Sequence, residues 1–351
     1  HLFERSSVVH AFELIREALK FGRGSVAIST LEKELAGRTE FIEVDGILTT
    51  KEALRQEQRL IALVNQGLGG CGPSRPNFAG VPSLTPEQSQ ALRFLLESTD
   101  EVVALRGRAG TGKSRLLTEL VRGIAERHAA VVLAPTVAAV DVLRKQGFPQ
   151  AATVKKFLSD PDFQGKAHGK ALIVDEAGFL ATSELLALVE AVRALRGRLI
   201  LSGDTRQHHA VASGDALRIL EEHSALRTVE MKNIQRQVDR EYREAIREFS
   251  EGLGEEALRR LQNLGAIKES GQENRHSGLP QAYLDSVKSG KSALIVSPTW
   301  REIDEVTGEI RGRLKTEGIL SEAETQFETH HPLKWTHAQK RDMRNYRPGM
   351  I

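Results

Sequence analysis

Residues 107–114, Gly107-Arg108-Ala109-Gly110-Thr111-Gly112-Lys113-Ser114, have the types and spacing of a phosphate-binding loop. Gly107, Gly110 and Gly112 let the backbone curl so that amide N–H groups, that of Thr111 included, face a polyphosphate. Lys113 is placed to neutralise β- and γ-phosphates, and the Ser114 hydroxyl to bind Mg²⁺. Asp175-Glu176 closes a second apolar run, Ala-Leu-Ile-Val. There Asp175 is placed to hold Mg²⁺, and Glu176 to orient and deprotonate an attacking water. A third cluster, Ser202-Gly203-Asp204-Thr205-Arg206-Gln207, ends another run. Gln207 is either a contact to the γ-phosphate or the water, since an amide both donates and accepts, or part of a plain polar loop.

These clusters need elements that bring them to one place. From Leu84 onward, short apolar runs (102–105, 130–134, 171–174 and 199–201) alternate with helical stretches. That texture predicts an α/β domain with a parallel sheet covered on both faces. Each run ends in a Gly-rich or polar cluster, and ligands of such sheets bind at the carboxyl ends of the strands. The lysine loop and the Asp-Glu pair are expected at adjacent strand tips.

Ahead of this domain, residues 7–21 carry apolar side chains at helical spacing and residues 30–36 form a second short helix. Asp45-Gly46 marks a hairpin within 39–50, and 51–66 reads as helix. The pattern predicts a winged-helix-like unit, either a DNA-contacting module or a packing domain. Residues 67–82 are a Gly/Pro-rich linker containing the lone Cys71, which reads as incidental. Farther on, LIVSPTWREIDEV at 294–306 echoes VVLAPTVAAVDVL at 131–143, and a second sheet is expected to begin near 226. Helices are expected over 239–250 and 255–264. The expected division is 1–66, linker 67–82, a first ATPase domain 83–225, and the start of a truncated second domain 226–351.

Composition excludes other classes. One cysteine among 351 residues allows no internal disulfide and no cysteine metal cluster. No apolar run approaches the ~20 residues of a membrane span. Forty-nine basic and 47 acidic residues give a net charge of +2, so any nucleic-acid stripe must be local. The first residue is His1 and no signal peptide follows, which suggests a segment of something longer.

The motifs together resemble a family. Leu84-Thr85-Pro86-Glu87-Gln88 resembles the adenine-reading Q motif of helicases. GRAGTGKS, APT at 134–136, VDEAG at 174–178, GDTRQ at 203–207 and IQRQ at 234–237 follow in helicase order. The set resembles RecD-like, 5′→3′ superfamily 1 DNA helicases. The opening HLFERSSVV, DGILTT and the linker before LTPEQ narrow the resemblance to the helicase region of MobF-type conjugative relaxases, over most of 1–310.

This resemblance implies a RecA-like P-loop NTPase sheet, a winged-helix-like N-terminal domain and an incomplete second RecA-like domain. It implies ATP and Mg²⁺, with Gln88 reading adenine, Gln207 sensing the γ-phosphate and Arg236 acting as an arginine finger. Pro135, Thr136, Thr153, Pro298 and Thr299 resemble positions that hold single-stranded DNA, with Lys155 and Lys156 adding charge. Partners would be single-stranded DNA and relaxosome or other conjugation-machinery proteins, in the cytoplasm and without a membrane. The chain departs from the relaxase pattern: Tyr242, Tyr283 and Tyr346 are isolated, and His208-His209 and His330-His331 lack a third partner, so nicking is not expected. The later helicase motifs are also missing, which puts complete strand separation by this segment in doubt. An exonuclease-V alpha-subunit-like recombination helicase shares the ATPase motifs, and a non-motor ATP-binding scaffold is the reading from a different class.

Overall fold

The computed structural model describes residues 2–22, 25–107, 111–125, 129–204, 214–233, 239–269, 278–325, 333, 335–348 and 350. The chain divides into two compact units, residues 1–238 with 335–351, and residues 239–334.

The first unit opens on β1 (Val8–His10), α1 (Ala11–Phe21) and α2 (Ile28–Gly37). The hairpin β2 (Phe41–Val44) and β3 (Ile47–Thr50) follows, then α3 (Lys51–Gln66). Asp45 and Gly46 both take positive φ, 51° and 73°, as a two-residue hairpin turn of matching twist requires. The strands form an antiparallel sheet in the order β1-β3-β2. The helix expected over 7–21 therefore begins only at Ala11. Val8 to His10 pair with β3, an outside partner that helical periodicity cannot reveal.

The larger domain runs α4 (Pro86–Glu97), β4 (Val102–Gly107), α5 (Lys113–Ala125), β5 (Ala130–Ala134) and α6 (Val137–Lys145). Next come β6 (Ala152–Thr153), α7 (Val154–Ser159), α8 (Pro161–Lys166) and β7 (Ala171–Val174). It closes with α9 (Thr182–Ala194), β8 (Arg198–Gly203), α10 (Ala216–His223) and β9 (Arg227–Met231). Six strands form one sheet in the order β6-β5-β7-β8-β4-β9. Every pairing is parallel.

Side chains alternate across this sheet. Val102 and Ala104 join a core with α3, α7, α9 and α10, through Leu63, Phe157, Leu188 and Leu220. Val103 and Leu105 join the opposite core with α4, α5 and α6, through Leu92, Leu117 and Val140. All residues of β7 and β8 are buried, as strands covered on both faces must be.

Two boundaries differ from the sequence expectation. Residues 227–231 do not begin a second sheet; β9 adds to the first one beside β4, so the domain extends past 225. α3 also packs its buried Leu60, Leu63 and Val64 into the larger domain's core, so the N-terminal region is not separate from it. Residues 335–348 and 350 also fall in the first unit, where the Arg344 guanidinium lies 5.6 Å from the Phe21 ring centroid.

The second unit consists, among its described residues, of α11 (Arg240–Ser250), α12 (Gly254–Asn263), α13 (Gly278–Lys288) and α14 (Trp300–Thr316). α15 (His337–Arg341) follows in the chain and belongs to the first unit. Residues 294–296, expected as a strand, pair with none among the described residues; Leu294 and Val296 are exposed. A parallel strand exists only where a neighbour takes up its backbone groups.

At the amino ends of β4 and β8 the linker is sewn down by charge. Arg198, 5% exposed, donates to the Ser74 hydroxyl (3.1 Å) and to the carbonyls of Gly72 (3.0 Å) and Ser98 (2.6 Å). Asp100, fully buried, pairs with Arg227 at 2.8 Å and accepts the Gly69 N–H at 2.9 Å. Arg198→Ala leaves buried carbonyls without donors and should cost about 3 kcal/mol. Urea unfolding of the variant reads this as a lower midpoint.

Candidate functional site

The site lies at the carboxyl ends of β4, β7 and β8. β4 delivers Gly107, and α5 starts at Lys113, so the phosphate-type loop joins a buried strand to a helix N-terminus. Gly110 lies outside the described residues. The Lys113 ammonium donates to the Gly107 carbonyl at 2.5 Å, folding the lysine back over the loop. A Cβ on Gly107 would sit 2.9 Å from Lys113 Cγ. Gly112 has φ of +86°, and a Cβ there would lie 2.5 Å from the Gln88 amide nitrogen. The positive φ favours glycine at Gly112, and at both positions a Cβ would force the Lys113 or Gln88 side chain to move.

Gln88, 3% exposed, braces this loop. Thr85 caps α4 by accepting the Gln88 N–H (3.2 Å), and the Gln88 side-chain oxygen accepts the Thr85 N–H (3.2 Å). That reciprocal pair orients the amide so that its nitrogen donates to the Thr111 carbonyl at 3.2 Å. Glu87, the preceding residue, accepts the N–H groups of Lys232 (2.8 Å) and Asn233 (3.1 Å), just before 234–238. One helical turn thus fixes both the loop and the exit of β9.

Across β8, Asp175 and Glu176 follow β7. The expectation of adjacent strand tips is corrected here: β8 stands between β4 and β7. It contributes Ser202, fully buried, whose hydroxyl donates to the Asp175 carboxylate at 2.9 Å. Burial pushes the Asp175 carboxyl above the usual range, while Ser202, the Glu176 backbone N–H and the Lys113 ammonium pull it back. Lys113 is therefore near enough to act on Asp175 electrostatically. Glu176 is half-buried and left-handed, φ 55° and ψ 37°. A non-glycine residue there costs about 1–3 kcal/mol, and such strain collects at functional sites.

These groups suit a Mg²⁺–polyphosphate: a glycine cradle that a Cβ would fill, a lysine, the Ser114 hydroxyl at the start of α5, and a carboxylate whose burial is relieved by a cation. Magnesium would be held by Ser114 and Asp175 and would polarise and screen the phosphates.

Pro135 and Thr136 follow β5, and Thr153 ends β6, on the same side of the sheet as the site. Thr136 accepts the Ala139 N–H (3.2 Å) and Thr153 the Lys156 N–H (3.1 Å), each capping its helix. A hydroxyl that accepts there still has its own proton to donate. Thr299, after Pro298, caps α14 of the second unit in the same way. Gln207 and Arg236 lie outside the described residues, as do His208-His209 and His330-His331. Burial raises the Cys71 thiol, which argues against a nucleophile.

A family model described as an AAA domain matches residues 83–272. The chain belongs to that AAA domain family. The multifunctional conjugation protein TraI of Escherichia coli K12 is 26% identical over 281 residues, covering 74% of this chain and 16% of TraI. A second Escherichia coli TraI matches equally. The chain thus spans 16% of the length of these curated relatives. The resemblance to a RecD-like helicase region of a conjugative relaxase is borne out by these matches. Among solved structures, the UvsW helicase from bacteriophage T4 aligns with a TM-score of 0.32 and 13% identity, over 48% of this chain and 66% of that one. The replication initiator DnaA bound to AMPPCP and single-stranded DNA gives 0.28 and 15%, over 71% and 81%. No helix among the described residues is long and apolar enough to cross a membrane.

Sequence reasoning missed Ser202 as the partner of Asp175, and Glu87 as the clamp on β9. The only hint was that each sits inside a motif singled out for other residues. The raised Asp175 pKa has a sign that can be tested. A carboxyl favoured in its neutral form stabilises the fold at acid pH, and that contribution disappears as pH rises through its folded pKa. Asp175→Asn removes the buried charge, and at neutral pH without nucleotide the variant should melt about 2–4 °C higher than the parent. Its nucleotide affinity should no longer increase with added Mg²⁺. Calorimetry and nucleotide titration check the two effects.

Proposed function

We propose that this chain is the ATP-hydrolysing motor segment of a conjugative relaxase, moving 5′→3′ on single-stranded DNA. The observation that carries this is the braced lysine loop facing the Asp175-Glu176 turn across β8, in a member of the AAA domain family. The match to TraI favours the relaxase over the recombination-helicase reading.

In this reading Lys113 and the amides of the 107–114 loop hold the β- and γ-phosphates of ATP. Gln88 is buried with its amide committed to the Thr85 N–H and the Thr111 carbonyl, so in this reading it holds the loop in place of the adenine contact that the resemblance implies. Mg²⁺, held by Ser114 and Asp175, supplies charge neutralisation on the phosphates. Glu176 orients the attacking water and takes its proton, which hydrolysis needs because water is a poor nucleophile at neutral pH. Gln207 senses the γ-phosphate and Arg236 balances the charge that develops on it. Glu87 holds the residues leading to Arg236, so turnover depends on that clamp.

Single-stranded DNA would lie across the strand ends at Pro135, Thr136 and Thr153, and on the second unit at Pro298 and Thr299. Hydroxyls and helix amides bind phosphate without reading sequence, as a motor that crosses any sequence requires. Relaxosome proteins are the fitting partners, and the cytoplasm the fitting place.

ATP hydrolysis with and without single-stranded DNA tests the reading. DNA should stimulate turnover; ATP binding without turnover in either condition would leave a scaffold instead. Glu176→Gln should retain ATP binding and lose about 10²-fold or more in turnover. Lys113→Ala should lose nucleotide affinity itself, read by titration with a fluorescent ATP analogue. Glu87→Ala should lower kcat while leaving the KM for ATP nearly unchanged, since it acts on the β9 exit and not on the phosphates. A streptavidin block displaced from the 3′ end of an oligonucleotide, and not from the 5′ end, would give the direction.

A further inference from the structure

The outer edge of the larger sheet carries a feature that the nucleotide site does not use. β6, two residues long, is the last strand on that side. Beside it runs a groove of about 470 Å³ between the 149–152 segment, α7 and α8. Arg144, Lys156, Lys166 and Lys170 line it, with Asp160 and Asp162 as the only carboxylates.

The charges in this groove are unequally committed. Asp160 caps α8, accepting the Phe163 N–H at 2.9 Å. Arg144 donates to the Ala151 carbonyl at 3.1 Å and lies 3.6 Å from Asp141. The ammonium groups of Lys156, Lys166 and Lys170 make no ion pair or hydrogen bond among the described residues. Four basic side chains against two carboxylates leave the groove with an excess of positive charge that a bound anion would offset.

Their arrangement defines the anion. Lys156 is on the first turn of α7, its N–H bonded to the Thr153 hydroxyl, at the carboxyl end of the sheet. Lys170 directly precedes β7, at the amino end. Lys166 ends α8. Lys156 and Lys170 are therefore anchored at opposite ends of the strands, about 13 Å apart for a strand of four residues. A single small anion cannot span that distance, whereas a polyanion can. Phe163, half-buried and set edge-on to Phe157 at 5.3 Å between centroids, adds an apolar surface to the same groove. Cations that follow a backbone, together with an aromatic beside it, suit single-stranded nucleic acid.

We propose that this groove carries the sugar–phosphate backbone of single-stranded DNA onward from Thr153, down the outer edge of the sheet. The proposal rests on the motor reading, in which Thr153 holds DNA. Lysines act here as point charges, so the grip is independent of sequence.

The test compares the full chain with its Lys166→Glu/Lys170→Glu variant, using labelled oligothymidylates of two lengths at several salt concentrations. The short oligonucleotide covers only the strand-end threonines, and the long one also reaches the groove. The variant should bind the long one about tenfold more weakly at low salt, with a salt slope shallower by about 1.4, or 0.7 per lost phosphate contact. Binding of the short one, and of a non-hydrolysable ATP analogue, should be unchanged. Lys166→Gln/Lys170→Gln should reproduce the slope change with a smaller loss, and its melting temperature should match the parent's. A parent that binds DNA alongside a variant with unaltered affinity and slope overturns the groove and leaves the motor reading standing. A parent that binds neither oligonucleotide overturns both. A variant that loses binding to polyglutamate but not to DNA assigns the groove to an acidic polypeptide instead.

Discussion

The side-chain amide of Gln88 connects two parts of the molecule. Its oxygen closes the capping box of α4, and its nitrogen holds the loop between β4 and α5 through the Thr111 carbonyl. Because the oxygen is bonded to the helix, the nitrogen has one direction left, toward the loop. Gly112 has no Cβ to obstruct it. The neighbouring carboxylate of Glu87 ties the same turn to the end of β9. The loop and the segment that leaves the sheet are thus held by side-chain-to-backbone hydrogen bonds from two neighbouring residues of one helical turn.

Facing it is a carboxylate kept in a costly environment. Asp175 is held by Ser202 and the Glu176 amide in surroundings that disfavour its charge, and the next residue is strained. The turn is anchored by β7 and β8, every residue of which is buried between the cores on the two faces. A carboxylate whose charge is disfavoured in this way gains from any cation brought beside it.

Much of this was legible in the sequence, and what was not has physical reasons. The four central strands could be read because residues 102–105, 130–134, 171–174 and 199–201 are apolar on both faces, the mark of a doubly covered sheet. β9 alternates with polar residues and β6 has two residues, so neither carries that mark. The turn at Asp45-Gly46 and the α3 helix depend on local chemistry and could be read directly. Strand order is a property of the assembled sheet, and the placement of β8 between β4 and β7 has no local signature. The glycine loop is contiguous and could be read whole. The bond from Ser202 to Asp175 joins residues 27 apart, and that from Glu87 to Lys232 residues 145 apart, so only folding discloses them.

The seating of α3 bears on how the N-terminal region can behave. Its Leu60, Leu63 and Val64 are buried in the same core as Leu188 and Val192 of α9 and Leu217 and Leu220 of α10. α9 begins a few residues after the Asp175-Glu176 turn. A region seated this way is no swinging tether. It is a bracket seated in the core, and a load pulling on the β1-β3-β2 sheet would reach α9, the helix that leads back to the Asp175-Glu176 turn.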